Sequence, residues 1–253
     1  MMRSLVFILA VLSVFGCVTK EIGKNPSPVA NDKESAQINL QLGVNYYRQG
    51  NIDASREKLE KAISQDPKLA PAYRMLGLVY QSMGDLEEAN QKYLKSVRLA
   101  SNDPDTLNDY AGFLCFERGD VDKALDYFDK AIRIPLNENR SMLYSNAARC
   151  VMTSDPDRAE DYLRAALSYD SKNPQLMVQI ADLAYRQQQY LQARVFLDRA
   201  YQLAEPSPTM LFLLARTEAQ LGDIAKSGEY REQLLELYPR SQEALAIDNS
   251  DIN

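Results

Sequence analysis

Cys17, Cys115 and Cys150 are the side chains of this sequence best suited to forming covalent bonds. A cysteine directly after an apolar run can be acylated. Two cysteines deep in a chain, here 35 residues apart, can pair oxidatively if the protein is exported. Little other chemistry is open. The chain has no His, which excludes Ser-His-Asp and Cys-His nucleophile sites, imidazole-ligated zinc and histidine acid–base catalysis. No Cys-x-x-Cys pair suggests a metal, and the glycines stand singly instead of forming a phosphate-cradling loop. Glu87-Glu88 and Asp155/Asp157 are paired carboxylates, but they fall where helices should begin and suit the positive end of a helix dipole. The residues point to a protein with no catalytic site, no metal and no cofactor.

The chain that must position these groups has 253 residues, 45% apolar and 25% charged, enough for one or two folded units. Lys and Arg number 29 against 35 Asp and Glu, a net charge of -6. No nucleic-acid partner is expected, because phosphate binding needs a clustered basic surface. Arg3 precedes an apolar run from Leu5 to Val14 that only Ser13 interrupts. The run is shorter than the roughly 20 residues that span a bilayer and fits the apolar region of an export signal. It ends in Val14-Phe15-Gly16-Cys17, which resembles a bacterial lipobox. Gly16 and Cys17 match, while Phe15 is bulky where a small residue is usual. The resemblance implies a signal peptide over 1–16, lipidation of Cys17, and, because Val18 is not Asp, retention at the outer membrane on its periplasmic face. Residues 17–35 are polar and contain Asn25-Pro26-Ser27-Pro28, so a flexible tether is expected there.

A repeat follows. Gly43, Gly77, Gly112, Ala147, Ala181 and Ala215 recur at intervals of 34 or 35 residues. Twelve residues after each comes Ser55, Ala89, Ala124, Ala159, Ala193 or Ser227, and seven further on Ala62, Ser96, Ala131, Ala166, Ala200 or Leu234. Between the first two small positions sits a turn signal: Gly50-Asn51, Gly84-Asp85, Gly119-Asp120, Ser154-Asp155, Gln188-Gln189 and Gly222-Asp223. Glycine can end one helix in the left-handed conformation while Asn or Asp caps the next. Each unit therefore reads as helix, tight turn, helix. Small residues let paired helices approach, and stacking supplies the core that no unit has alone.

Length, turn and small positions together resemble the tetratricopeptide repeat. The resemblance implies an all-α, right-handed superhelix of six units, at about 36–69, 70–104, 105–139, 140–173, 174–207 and 208–240, followed by a polar tail over 241–253. The last unit departs most, with Glu218, Arg231 and Leu234 at positions usually aromatic or small, and is expected to be a water-facing cap. Family geometry places the first helices on a groove, to which Leu40, Val44, Tyr47, Arg74, Leu78, Phe113, Phe116 and Tyr144 should contribute, with Met152, Tyr185, Arg186, Phe212 and Arg216 further along. The Lys–Asn pair with which one subclass grips a peptide C-terminus is missing from those positions. Cys115 and Cys150 fall at the same place in units three and four, facing across the stack. A disulfide is the preferred reading, with two buried thiols the alternative.

The combination of lipobox, tether and six repeats resembles the type IV pilus biogenesis pilotins, the PilF/PilW family. The stretches carrying it are Leu42-Gly43-Val44-Asn45-Tyr46-Tyr47, Leu76-Gly77-Leu78-Val79-Tyr80-Gln81 and Asn108-Asp109-Tyr110-Ala111-Gly112-Phe113-Leu114-Cys115. It implies a non-enzymatic lipoprotein, anchored in the outer membrane by N-terminal acyl chains, that binds a secretin subunit and promotes secretin localisation and multimerisation. The alternative is a repeat scaffold of another envelope machine, for outer-membrane protein insertion or peptidoglycan assembly.

Overall fold

Asn51, Asp85, Asp103, Asp120, Asp155, Asn173, Ser207 and Asp223 each accept, through a side-chain oxygen, the backbone N–H three residues on, and so start eight helices. Pro71, Pro104, Pro156, Pro174 and Pro208 occupy first-turn positions, where their missing N–H costs nothing. The computed structural model describes residues 28–135 and 138–249. They form thirteen helices and no strand. Six hairpins run α1 (Pro28–Arg48) with α2 (Ile52–Gln65), α3 (Ala70–Ser82) with α4 (Leu86–Leu99), α5 (Pro104–Phe116) with α6 (Val121–Ile132), α7 (Arg140–Val151) with α8 (Pro156–Tyr169), α9 (Pro174–Arg186) with α10 (Tyr190–Leu203) and α11 (Pro208–Gln220) with α12 (Ile224–Leu237), followed by α13 (Gln242–Asn249). This is the all-α repeat architecture expected from the 34-residue period.

The first helices touch one another in succession, α1 with α3, α3 with α5, α5 with α7 and α9 with α11, and consecutive second helices do not meet to the same extent. The crowded side of a bent stack is its inner side, so the first helices line the concave face. The turns explain how tightly each pair closes. Gly50, Gly84, Gly119 and Gly222 take positive φ, and Gln188 does so at 62° without glycine's freedom. A Cβ at Gly43 would lie 2.6 Å from Leu59 Cγ, and one at Gly77 would lie 2.8 Å from the Tyr93 ring. At these two positions the small residue is required by contact.

Gly112 does not share that role: a Cβ there would meet nothing within 4 Å. In four hairpins the amide that closes the turn reaches back five residues: Asn51 to Tyr46, Asp85 to Tyr80, Gln189 to Ala184 and Asp223 to Glu218. In the third, Asp120 reaches back six residues, to Leu114, and in the fourth Asp155 reaches back only four, to Val151. One turn has gained a residue and the next has lost one. A one-residue slip rotates a helix by about 100°. Ala111, with no exposure, therefore takes the crossing expected of Gly112, and Ala148 shares the next one with Ala147.

Three expectations about the ends need correction. The tether over 17–35 is helical from Pro28. The polar tail over 241–253 contains α13, whose Ala244 and Ile247 are buried against Leu211, Ala215 and Leu234. Their three-residue spacing puts both on one helical face, which overrides the polar composition around them. The last hairpin is thus covered by α13. Glu218 does not face water: it is fully buried and paired with Arg194 and, at 3.3 Å, with Lys226. A carboxylate is tolerated there because two cations compensate its burial. The expected signal peptide, Cys17 and the expected tether up to Ser27 lie outside the described residues.

Candidate functional site: the inner face of the stack

The inner face is stitched by side chains one repeat apart. Tyr47 Oη and Ser82 Oγ lie 3.0 Å apart, Gln81 donates to Glu117 at 3.0 Å, and Asn146 donates to Asn108 at 2.9 Å. Arg74 donates to Asp109 at 2.7 Å in a pair about a quarter exposed. Burial raises the Asp109 carboxyl above its ordinary value, against the opposing pull of Arg74 and the Asn108 amide. The ladder holds adjacent repeats in register and leaves two hollows between its rungs.

The first hollow, of 420 Å³, is lined by Leu40, Val44, Arg48, Arg74, Met75 and neighbouring polar residues. Three residues expected on the groove, Leu40, Val44 and Arg74, converge here. Tyr47 is half-buried beside Val44, and Leu78 is half-buried over the core that joins the second and third hairpins. Phe116 is 48% exposed, with the Arg149 guanidinium 5.0 Å above its ring.

Two expected groove residues are elsewhere. Phe113 is 1% exposed and packs 5.2 Å from the Tyr93 ring and 6.3 Å from that of Tyr110, so it belongs to the core. Tyr144 turns to its partner helix, stacking on Tyr169 at 5.8 Å and meeting Tyr162 at 6.1 Å. Both displacements follow from the slipped turns. Phe113 takes the buried place that Val79 holds one repeat earlier, and Tyr144 takes the half-buried place of Tyr73, which faces Lys95 of α4.

The second hollow, of 830 Å³, spans α7, α9 and α11. Met152, Tyr185, Arg186, Phe212 and Arg216, expected on the groove, line it together with Asp182 and Thr209, which hold groove positions of their units, and with Arg149, Gln179 and Glu243, which the repeat pattern did not reveal. Glu243 belongs to α13, which the six-unit frame excluded. The run Ala244, Leu245, Ile247 was the signal that could have found it.

Cys115 and Cys150 are joined by a disulfide between α5 and α7, with Cα atoms 5.9 Å apart. It ties together the two first helices whose turns slipped. Among the described residues no cluster of three or more His, Cys, Asp or Glu side chains is placed to hold a metal ion, and no helix is long and apolar enough to cross a membrane.

Comparison with known proteins agrees with this architecture. Tetratricopeptide-repeat family models match residues 34–102 and 151–200. The type IV pilus assembly protein PilF of Pseudomonas aeruginosa is 30% identical over 243 residues, covering 95% of each chain. The solved structure of Pseudomonas aeruginosa PilF superposes with a TM-score of 0.74 at 27% identity, over 87% of this chain and 99% of that one. The crystal structure of PilW, a widely conserved type IV pilus biogenesis factor, superposes with a TM-score of 0.76 at 22% identity, over 84% of this chain and 97% of that one, and speaks for the fold alone. With repeats, inner face and near full-length similarity in agreement, this chain belongs to the PilF/PilW family of tetratricopeptide-repeat proteins of type IV pilus biogenesis.

Proposed function

We propose that this protein is a pilotin: an outer-membrane lipoprotein that binds a secretin subunit through the inner face of its first hairpins and promotes secretin localisation and multimerisation. The observation that carries the reading is the match to a type IV pilus assembly protein along 95% of both chains. The geometry supports it. Leu40 and Val44, with the guanidiniums of Arg48 and Arg74, line a hollow near the end of the stack to which acyl chains on Cys17 would attach. Such a hollow takes an extended segment by apolar contact and charge-assisted hydrogen bonds. No bond is made or broken, so the protein is no enzyme. Anchoring at the periplasmic face raises the partner's local concentration at the membrane, an effective-concentration effect.

The test is to replace Leu40 and Val44 together by Ser and to follow secretin multimers in envelope fractions by immunoblot. Multimers should fall severalfold while the protein keeps its level and helical signal. Unchanged multimers would remove this surface from the function. Cys17→Ser should shift the protein out of the outer-membrane fraction, and continued fractionation there would show that acylation is not the anchor.

A further inference from the structure

We infer that the hollow between α7, α9 and α11 is a second, separate binding site, and that it takes an extended acidic peptide segment carrying an apolar or aromatic side chain. The proposal does not depend on the identity of the partner at the first hairpins.

Charge complementarity carries it. The chain bears a net charge of -6, yet three exposed arginines, Arg149, Arg186 and Arg216, line this one hollow. Two of the three have no carboxylate partner among the described residues. Arg149 lies 5.0 Å over Phe116, and Arg216 lies over two rings at once, 4.9 Å from Tyr185 and 5.3 Å from Phe212. A guanidinium stacked on rings is held in orientation while its N–H edge stays available, which suits it to bidentate capture of a carboxylate.

The carboxylates of the hollow are already engaged. Asp182 pairs with Arg186 at 2.8 Å, and Glu243 accepts the Thr209 hydroxyl at 2.6 Å. The Thr209 hydroxyl leaves the Glu243 charge in place, so three guanidiniums face two carboxylates and the lining keeps a net positive charge. The walls are aromatic and apolar: Tyr185 meets Tyr190 edge-on at 5.3 Å, and Phe212 and Met152 complete them. A volume of 830 Å³ holds several residues of an extended chain. Aromatic and arginine side chains together are the usual carriers of interface energy.

The occupant's chemistry follows. Its acidic side chains meet Arg149 and Arg216, and its apolar side chain enters between Tyr185 and Phe212. An anionic lipid surface is flat on this scale and would not reach the stacked guanidiniums between helices.

The test uses the folded protein and a fluorescein-labelled nonapeptide with acidic residues around a Phe and a Leu, beside the same peptide with its acids replaced by amides. Anisotropy at low salt should show binding of the acidic peptide only. Binding should fall at least tenfold in Arg149→Gln/Arg216→Gln and should remain in Leu40→Ser/Val44→Ser, which separates this site from the one at the first hairpins. Backbone amide shifts on titration should cluster on α7, α9 and α11, independently of any variant. Equal binding of the amide peptide, unchanged binding by the arginine variant, shifts confined to α1 and α3, or capture of phosphatidylglycerol vesicles without the peptide would each overturn the proposal.

Discussion

Gly77 lies so close beneath Tyr93 that a Cβ on it would sit 2.8 Å from three carbons of the ring. Gly112, at the same place in the sequence repeat, lies against open space. The difference records the extra residue in the α5–α6 turn, where Asp120 bonds to Leu114 instead of to a carbonyl five residues back.

Gly77→Ala should therefore destabilise the protein by about 1–3 kcal/mol, the usual range for overpacking a filled contact. Gly112→Ala should stabilise it by about 0.5–1 kcal/mol, because alanine loses less entropy in a helix. Urea unfolding of both variants checks the register, and equal losses at the two sites would refute the slip.

Asp109 should give stability an unusual pH dependence. Its carboxyl is raised above the ordinary 3.8 in the folded state, chiefly by burial. The folded state then binds the proton more tightly than the unfolded chain does. Its contribution is fully present below 3.8 and is lost as pH rises through the raised value. Relative to Asp109→Asn, the wild type should lose stability across that window and hold a constant difference above it. Unfolding free energies measured from pH 3 upward decide this, and a difference that moves the other way would show that Arg74 dominates.

The disulfide between Cys115 and Cys150 closes a loop of sequence separation 35. Its loss in Cys150→Ser should cost about 2–4 kcal/mol, mostly by freeing the unfolded chain. Melting with and without reductant should separate wild type from variant only when reductant is absent. Alkylation of both thiols in unreduced protein from the periplasm would show that the bridge does not form there.

The C-terminal helix should be structural. Ile247 is 5% exposed in the cluster with Leu211 and Leu234. Ile247→Asp should cost about 1.5–3 kcal/mol, the worth of burying a side chain of that size. Hydrogen exchange should then rise in α11 and α12 before it rises in α3 and α4. Uniform exchange across the stack would argue against capping.

Much of this fold was legible in the residues. The recurrence of small positions with a Gly-Asp or Gly-Asn between them specifies helical hairpins, because closing a helix pair and turning the chain back are local demands met by local residue types. The geometry implied by the family resemblance put Leu40, Val44 and Arg74 on a shared face, and they do line one hollow. A period cannot say whether a turn holds one residue more or fewer than its neighbours. Capping residues tolerate either, and only packing against the second helix decides. That choice turned Phe113 into the core and Tyr144 toward α8. Burial of Glu218 was equally out of reach, since Arg194 and Lys226, which compensate it, lie 24 residues before and 8 after. The sequence by itself determined the hairpins, their number and their order, because those depend on short-range contacts. The tertiary structure alone decided the register of two helices, the docking of α13 and the gathering of three arginines into one hollow, because each depends on which distant surfaces meet.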